Sequence, residues 1–422
     1  MPDPRSDRSP ATSRGRSRRL AAALLAAALA VGLAASSVPV ALGQGEPLLV
    51  DDAATANPEL AETELQVPDG FAVDPATLRL PDGFSISVLA AGLQAPRFMT
   101  FDAAGNLLVA DMDGSVYRYP AGSDGAIAPA ATPPEPLLAD LDIPSSVALQ
   151  EVDGEEYLYV GQQSAVTRYK YDAEAALGDE ETVVADLPTG GHVTRTVLFG
   201  PDGMLYLSVG SSCNICDEED ELRATVSRYQ PDGSEGEVVA TGLRNAVGLA
   251  FQPETETLWA TVNERDDQGD EIPPDLVTTV EVGANYGWPT CMPPDATPQE
   301  DGADCAGVTP PTVGIQAHSA PLGLAFNTSD ELPEEFAGDL LVAQHGSWNR
   351  TAPAAPKLLR IQMEDGQPVA ASDFATGWQD AEGDRWGRPV GVVVAPDGSL
   401  VVSDDEAGVL YRIDVEAEAD GS

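Results

Sequence analysis

Three histidines stand in segments whose composition suits chemistry better than core packing. His192 follows two glycines, His318 lies in the segment 317–321, and His345 opens the stretch His-Gly-Ser-Trp-Asn-Arg. Histidine is the side chain best suited to accept a proton near neutral pH. A purely structural role is the ordinary alternative for any one histidine. Because all three histidines of the chain lie in Gly-, Trp- and Arg-rich loops, we predict a function in proton transfer.

Arginines stand in similar segments, at Arg97, Arg350, Arg388 and in the pair Arg244-Asn245. The chain has 69 acidic against 22 basic residues, a formal net charge of −47. Arginines grouped within so acidic a chain imply an anionic ligand, because guanidinium groups bind carboxylates strongly. A surface ion pair is the alternative for each of them. The negative field argues against nucleic acid and membrane surfaces as partners.

Four cysteines predict two disulfides in an oxidising compartment, and three pairings are possible. Proximity in sequence favours Cys213–Cys216 and Cys291–Cys305. A redox dithiol or half of a zinc site is the alternative for the Cys-x-x-Cys segment. No second such segment exists and no histidine has zinc-finger spacing, so structural bridges are preferred.

The element that must position these residues is a repeat. A unit made of an apolar strand, a turn resembling Pro-Asp-Gly and a second strand recurs six times, beginning at residues 98, 147, 197, 247, 322 and 390. No stretch of this region shows sustained helical periodicity. The pattern predicts an all-β fold, a six-bladed β-propeller with inserted loops. The segments that precede the innermost strands would then meet at one end of the axis, and they hold Arg97, Ser145-Ser146, His192, Arg244-Asn245, His318 and Arg388.

Several of these stretches resemble the soluble quinoprotein sugar dehydrogenases, which depend on pyrroloquinoline quinone (PQQ) and include glucose/sorbosone and pyranose dehydrogenases. The most specific are Leu-Arg-Asn-x-x-Gly-Leu-Ala-Phe over 243–251 and the His345–Arg350 loop. The resemblance extends from about Phe84 to Val415 and is closest to the sorbosone-dehydrogenase-like branch. It implies a propeller that binds PQQ and Ca²⁺ at the channel mouth and oxidises an aldose or related sugar, with a quinone or cytochrome as external electron acceptor.

The resemblance also implies roles for single residues. His192, eight residues before the Gly200 turn, matches the family's general base. Arg244 would lie by the quinone oxygen and Asn245 beside the cofactor. Arg388 matches a carboxylate-binding arginine and His318 a cofactor-contacting position. His345 and Arg350 are further expected cofactor contacts, whereas Arg97 rests on its place before an innermost strand alone.

The Ca²⁺ ion would take PQQ oxygens and backbone carbonyls near Glu264 and Arg265. Two positions depart from the glucose dehydrogenases. Ser211 stands where an aspartate orients the catalytic histidine, and no lysine lies near the His345 loop unless Lys357 reaches in or Arg350 substitutes. Glucose is therefore not assumed as the substrate.

Two alternatives remain open. A calcium-dependent propeller lactonase would use carboxylate and amide ligands such as Asn263, Glu264 and Asp266. A non-catalytic secreted propeller would stack glycans on exposed tryptophans, for which Trp288, Trp348 and Trp386 are the candidates.

The N-terminal region has a pattern that is typical of an export signal. Six arginines precede the apolar run Leu20–Ala35 and small residues follow it, so we expect a secretory signal peptide over 1–44 and a secreted, periplasmic or cell-surface protein. An uncleaved anchor is the alternative. Cleavage would leave a net charge of −51. Residues 45–80 are predicted as an acidic flexible leader, 81–416 as the propeller and 417–422 as an acidic tail.

Overall fold

The structure is a computed structural model that describes residues 46–416, apart from positions 58, 124, 175 and 330. The predicted signal peptide and the predicted acidic tail lie outside these residues. Among the described residues, no helix is long and apolar enough to cross a bilayer.

Six antiparallel sheets of the described region surround a central channel, which confirms the predicted six-bladed β-propeller. Their strands, innermost first, are as follows. Blade 1 contains Pro96–Phe101, Leu107–Asp111 and Ser115–Tyr119, and blade 2 contains Ser146–Val152, Glu155–Gly161, Val166–Lys170 and Glu180–Val184. Blade 3 contains Arg195–Phe199, Leu205–Val209, Thr225–Tyr229 and Glu237–Ala240. Blade 4 contains Ala246–Phe251, Leu258–Val262, Asp275–Thr279, Val313–Ile315 and, in parallel, Leu48–Leu49.

Blade 5 contains Pro321–Phe326, Leu340–Gln344, Lys357–Glu364, Gln367–Thr376, Thr77–Leu80 and Ala61–Glu64. Blade 6 contains Pro389–Val394, Leu400–Asp404, Val409–Val415 and Phe84–Ala91. An insertion in blade 4 carries the hairpin Cys291–Met292 and Thr297–Pro298, and the short helices are Asp52–Thr55 and the 3-10 turn Glu334–Phe336.

The ring closes by pairing the strand that directly precedes blade 1 in the sequence with the last strand of the described region. Phe84–Ala91 is the outermost strand of blade 6, where Phe84 pairs with Val415 and Ala91 with Val409. Its buried residues, including Ile86 and Val88, pack in the largest apolar cluster. The first and last strands of the ring therefore stabilise each other, and a blade edge that would otherwise be unpaired is covered.

The expectation of a flexible leader is wrong for the described part of residues 46–80. Thr77–Leu80 alternates exposed and buried side chains, and Leu78 and Leu80 are fully buried against blade 5. Lys357 extends toward this segment and binds Asp52 and Asp373, each at 2.8 Å. The acidic composition suggested a solvated chain, whereas a few leucines and one buried lysine suffice to hold the segment on the blade edge.

Two features of the innermost strands shape one end of the channel. In blades 1, 4, 5 and 6 the register to the second strand shifts within the first three or four residues, as in a β-bulge. Bulges change the direction of side chains and occur next to active sites. The strands also approach closely, since a Cβ on Gly323 would lie 2.6 Å from the Val390 carbonyl and one on Gly391 2.8 Å from the Arg97 carbonyl. Only glycine leaves room for this contact.

Candidate active site

The channel has two ends, which we call the site face, where the innermost strands begin, and the turn face, where the Pro-Asp-Gly-like turns follow them. A polar cavity of about 360 Å³ opens on the site face. Val247 and Leu322 line it and pack against Val390 and Phe98. Phe98 in turn lines a second cavity of about 480 Å³ that follows the innermost strands toward the turn face.

Eight of the predicted site residues line the cavity on the site face, although they are spread over almost 300 positions of the sequence. They come from the beginnings of the innermost strands, from the segments before these strands, and from the loops after the second strands of blades 4 and 5, and they are Arg97, His192, Arg244, Asn245, Glu264, His318, His345 and Arg388. The convergence of these segments is the geometry that the six-fold repeat predicts.

His192 is held in one tautomer by backbone. Its Nδ1 lies 2.9 Å from the Ser211 carbonyl oxygen, which can only accept, so Nδ1 carries the proton. Nε2 makes no hydrogen bond within the described residues and is free to accept a proton from a ligand in the cavity. Burial, together with the nearby Arg244 guanidinium, lowers the pKa of His192 to about 4. The imidazole is therefore neutral at pH 7 and can act as a base.

Arg244 is fixed from several sides. Its Nη1 donates to the carbonyl oxygens of Asn263 at 3.2 Å and Glu264 at 2.7 Å. Its Nη2 donates to Asp266 Oδ2 at 3.0 Å, and both Nε and Nη2 donate to Asn214 at 3.1 Å. The guanidinium is only a few percent exposed and keeps one orientation at the cavity wall.

A second cationic group spans blades 1, 5 and 6. Asp405 accepts from Arg97 Nη1 at 2.8 Å and from His345 Nε2 at 2.7 Å. Burial lowers the pKa of His345 to about 4, so it is neutral at pH 7, and His345 and Arg97 keep the pKa of Asp405 below its usual value. Arg388 donates to the carbonyl oxygens of His345 and Gly346. Arg97 and Arg388 thus line the cavity on this side, whereas the nearby carboxylates of Asp404, Asp405 and Glu406 do not.

Acidic groups line the opposite side of the cavity. Asp275 is fully buried and accepts backbone N–H groups of Glu264 at 2.8 Å and Ala320 at 2.9 Å. Burial raises its pKa to about 7. Glu264 Oε2 accepts from Arg265 at 3.0 Å, while its Oε1 is buried without a hydrogen-bond partner among the described residues. His318 Nε2 lies 2.8 Å from the Gly269 carbonyl oxygen and its Nδ1 3.9 Å from Asp266.

The loop after the second strand of blade 5 covers part of the cavity. Trp348 is 74% exposed and lines the opening. Asn349 donates to Asp266 Oδ1 at 2.8 Å, which ties the loop to blade 4. Arg350 hydrogen-bonds to the Asp270 and Ala317 carbonyls and binds Glu271 at 2.8 Å. It does not line the cavity, so in this geometry its contacts are between loops rather than the expected contact with the cofactor.

Other sequence expectations also change place. The Arg265 side chain, whose backbone carbonyl alone was expected at the site, is fully buried and donates to Pro289, Cys291 and Gln299 in the blade 4 insertion. Lys357 does not reach the site. Ser145 and Ser146 donate to the Arg195 carbonyl and do not line the cavity.

Of the three candidate tryptophans only Trp348 is exposed. Trp288 is 5% exposed and donates to the Asn214 carbonyl, and Trp386 packs on the core of blades 5 and 6.

Asp405, Asp275 and Asn214 are site residues that the sequence reasoning missed. No motif singles them out, because each is one of many acids or amides and is recruited by contacts between distant segments. Asn214 could have been noticed, since it stands inside the Cys-x-x-Cys segment. Both predicted disulfides are confirmed, Cys213–Cys216 and Cys291–Cys305.

A propeller with a polar cavity at one end of its axis belongs to the class of propellers that bind a small ligand at the channel mouth. Comparison with known proteins specifies the family. The family described as TrAA12-like matches residues 78–416, and the chain belongs to it.

Two relatives and one solved structure illustrate the similarity. A pyrroloquinoline quinone-dependent sugar dehydrogenase of Hypocrea jecorina (strain QM6a) is 26% identical, over 78% of this chain and 88% of the relative. A pyrroloquinoline quinone-dependent pyranose dehydrogenase of Coprinopsis cinerea is 25% identical over 83% of this chain, which spans about half of that relative (54%). The calcium structure of Trichoderma reesei Carbohydrate-Active Enzymes Family AA12 superposes with a TM-score of 0.71 at 24% identity, covering 83% of this chain and 100% of that one. This last likeness bears on the fold.

Proposed function

We propose that this protein is an exported quinoprotein oxidoreductase that oxidises an aldose or related sugar with PQQ and Ca²⁺ as cofactors. The observation that carries the proposal is His192, whose Nδ1–H is tied to the Ser211 carbonyl while its free Nε2 faces a cavity beside Arg244. A neutral imidazole in a fixed tautomer is the group needed to take a proton from a hydroxyl. The names of the Hypocrea and Coprinopsis relatives support the substrate class.

The residues present fit PQQ, which carries three carboxylates. Arg97 Nη2 and Arg388 Nη1 make no hydrogen bond within the described residues, although both arginines line the cavity. Arg97 Nε is also buried without a partner. Carboxylates of a cofactor would satisfy such groups, because charge-assisted bonds to guanidinium are strong. Asn245 and His345 line the same cavity and would complete the contacts.

The residues also fit Ca²⁺, with one change from the sequence expectation. The Glu264 carbonyl, expected as a ligand, already accepts from Arg244 at 2.7 Å. The unpartnered Glu264 Oε1 supplies an anionic oxygen next to Asp266 and Asn263, which also line the cavity. Calcium prefers such oxygen ligands. We therefore infer that side-chain oxygens of Asn263, Glu264 and Asp266 hold the ion rather than the backbone of Glu264 and Arg265 alone.

When bound, PQQ supplies a quinone that accepts a hydride from the sugar carbon, and Ca²⁺ supplies a Lewis acid. The chain's own residues supply the rest. His192 Nε2 would take the proton of the anomeric hydroxyl while C1 loses its hydride to the quinone, so that C1 becomes a lactone carbonyl. A sorbosone-type aldehyde would first add water, and His192 would then take the proton of a hydroxyl of that hydrate, whose carbon becomes a carboxylic acid. Arg244, held at the wall, stabilises negative charge that develops beside it. Trp348 at the rim offers an aromatic face to the sugar ring.

Reconstitution tests the proposal. The chain is purified without cofactor, PQQ and Ca²⁺ are added singly and together, and aldoses are screened with an artificial dye as electron acceptor. Sugar-dependent dye reduction that requires both additions would support it. If PQQ does not bind, the dehydrogenase assignment fails, and hydrolysis of lactones with Ca²⁺ alone would then favour the calcium-dependent lactonase. The same screen shows whether a glucose- or sorbosone-type sugar is preferred.

A further inference from the structure

A short turn closed by a disulfide contacts both proposed catalytic side chains. This turn, residues 211–216, follows strand Leu205–Val209 of blade 3 and is closed by the Cys213–Cys216 bond; we call it the cystine turn. We propose that the cystine turn positions the reacting groups, with Asn214 as the positioning residue for Arg244. Asn214 does not line the cavity and acts through its neighbours. The role of the turn in catalysis rests on the proposed function, whereas the contacts that the turn makes do not depend on it.

Asn214 fixes the plane of the Arg244 guanidinium. Its backbone carbonyl accepts from Arg244 Nε and its side-chain Oδ1 accepts from Arg244 Nη2, both at 3.1 Å. Two acceptors on adjacent nitrogens of a planar group prevent rotation about the side-chain torsions. Trp288 Nε1 donates to the same Asn214 carbonyl at 3.0 Å and holds it in place.

Asn214 also ties the partner carboxylate of Arg244. Oδ1 accepts the backbone N–H of Asp266 at 2.8 Å, and Nδ2 donates to the Asp266 carbonyl at 3.1 Å. Asp266 in turn binds Arg244 Nη2 at 3.0 Å. One amide side chain therefore holds the arginine, its counter-ion and the loop that carries the counter-ion, with Oδ1 accepting two hydrogen bonds and Nδ2 donating one.

The same turn holds His192. The Ser211 carbonyl accepts from His192 Nδ1 at 2.9 Å, and the Ser211 hydroxyl donates to the Cys213 carbonyl at 2.7 Å. This leaves Oγ as a further acceptor 3.1 Å from Nδ1. The backbone N–H of Ser211 donates to the Arg244 carbonyl at 2.8 Å. A change in the path of the turn would thus displace imidazole and guanidinium together.

Packing alone does not hold the outer side of the turn. A cavity of about 240 Å³ lies there, between Ile215, Cys216 and Asp217 on one side and Pro289 and Thr290 of the blade 4 insertion on the other. Because side chains do not fill this space, the covalent bond between Cys213 and Cys216 adds to the hydrogen bonds of Ser211 and Asn214 a constraint that limits the conformations of the turn. Such preorganisation lets a site keep its geometry without reordering on binding.

The test compares Asn214→Ala and the double variant Cys213→Ser/Cys216→Ser with Cys291→Ser/Cys305→Ser, which removes the other disulfide and leaves the cystine turn intact. We expect Asn214→Ala to lower kcat about 10- to 100-fold, since small displacements of reacting groups have effects of this size. The acid limb of its pH profile should move toward the ordinary histidine value, because a mobile Arg244 lowers the pKa of His192 less. Cys213→Ser/Cys216→Ser should lose more activity than the control Cys291→Ser/Cys305→Ser, although its melting temperature should fall by the same amount or less.

A second readout does not depend on turnover. The chain has three histidines, so the titration of each imidazole can be followed by NMR in the cofactor-free protein. A raised His192 pKa in Asn214→Ala supports the positioning role even if no sugar is oxidised by the wild type, in which case only the proposed function fails. Two sets of results would overturn the inference, and both include an unchanged His192 pKa in Asn214→Ala. In the first set Asn214→Ala also keeps the wild-type kcat, and in the second set the two disulfide variants lose equal activity.

Discussion

The two ends of the channel are made from the same six innermost strands, but their polar groups find partners in opposite ways. On the turn face, each of three acids bonds within its own turn: Asp102 accepts from Asn106 at 2.8 Å, Asp202 from Met204 at 3.1 Å and Asp397 from Ser399 at 3.2 Å. Asp102 also accepts from the more distant Tyr171 hydroxyl at 2.6 Å. On the site face, Arg97 binds Asp405, which lies 308 residues further along the chain. Asn349 reaches Asp266 across 83 residues.

The polar groups of the turn face therefore support mainly the fold, and those of the site face mainly the chemistry. A bond within a turn can form in each unit independently and repeats with the fold, so the turn face stays close to the six-fold pattern. The long-range bonds of the site face differ from blade to blade, and blade 2 contributes no side chain to the cavity lining. We therefore expect substitutions on the site face to change activity more than stability, and substitutions on the turn face to do the reverse.

The largest effect is expected at His192. Replacing it with Ala or Gln removes the base and should lower kcat about 10²- to 10⁴-fold, the range for a positioned general base. Steady-state rates with PQQ, Ca²⁺ and the best sugar measure this loss. Titration of PQQ absorbance should show that the variant still binds the cofactor. A variant that keeps most of the wild-type rate would show that another group takes the proton.

Two arginines that the sequence places in similar loops should differ in how strongly their replacement weakens PQQ binding. Arg388→Ala removes a guanidinium of the cavity wall, so PQQ should bind about 10- to 100-fold more weakly, as expected for the loss of charge-assisted hydrogen bonds. Arg350→Ala is the matched control, because this arginine contacts Asp270 and Glu271 instead of the cavity. Equal losses of PQQ affinity in the two variants would contradict the cavity described above.

The acid limb of the pH–activity profile should lie below the ordinary pKa of histidine. His192 must be neutral to act as a base, and its pKa is lowered to about 4, first by burial and then by Arg244. Activity that depends on this group should therefore persist as the pH falls below 6.5 and decline only as the pH approaches 4. A profile of kcat/KM against pH measures the limb. A decline centred near pH 6.5 would mean that the imidazole is solvated in the working enzyme.

The smallest effect on activity is expected on the turn face. Asp202→Ala removes hydrogen bonds to the Met204 N–H and the Tyr206 hydroxyl, and should cost about 0.5–1.5 kcal/mol of stability for each bond while kcat stays unchanged. Thermal melting and steady-state rates on the same preparation make the comparison. A marked fall in kcat without a lower melting temperature would show that the two faces are coupled.

Much of the fold and part of the site could be predicted because their signals are local. The six turns, the short apolar strands and both disulfides are read from neighbouring residues. Radial symmetry then requires that the segments before the innermost strands meet, which predicts that His192, Arg244, Asn245, His318 and Arg388 lie together. The prediction of a flexible leader over 46–80 failed for the same reason. The acidic composition of this segment is a local signal, whereas its burial on blade 5 depends on residues far away in the sequence.

The sequence by itself determined the repeat, the ring and the end of the channel where chemistry is possible. Only the tertiary structure decided which polar groups pair there, so that Asp405 joins Arg97 to His345, Asn214 holds Arg244, and Arg350 is drawn away from the cavity. Strand and turn preferences depend on a few adjacent residues. An ion pair between distant loops depends on where bulges and inserted segments bring single atoms, to within the length of a hydrogen bond, and no local pattern specifies this.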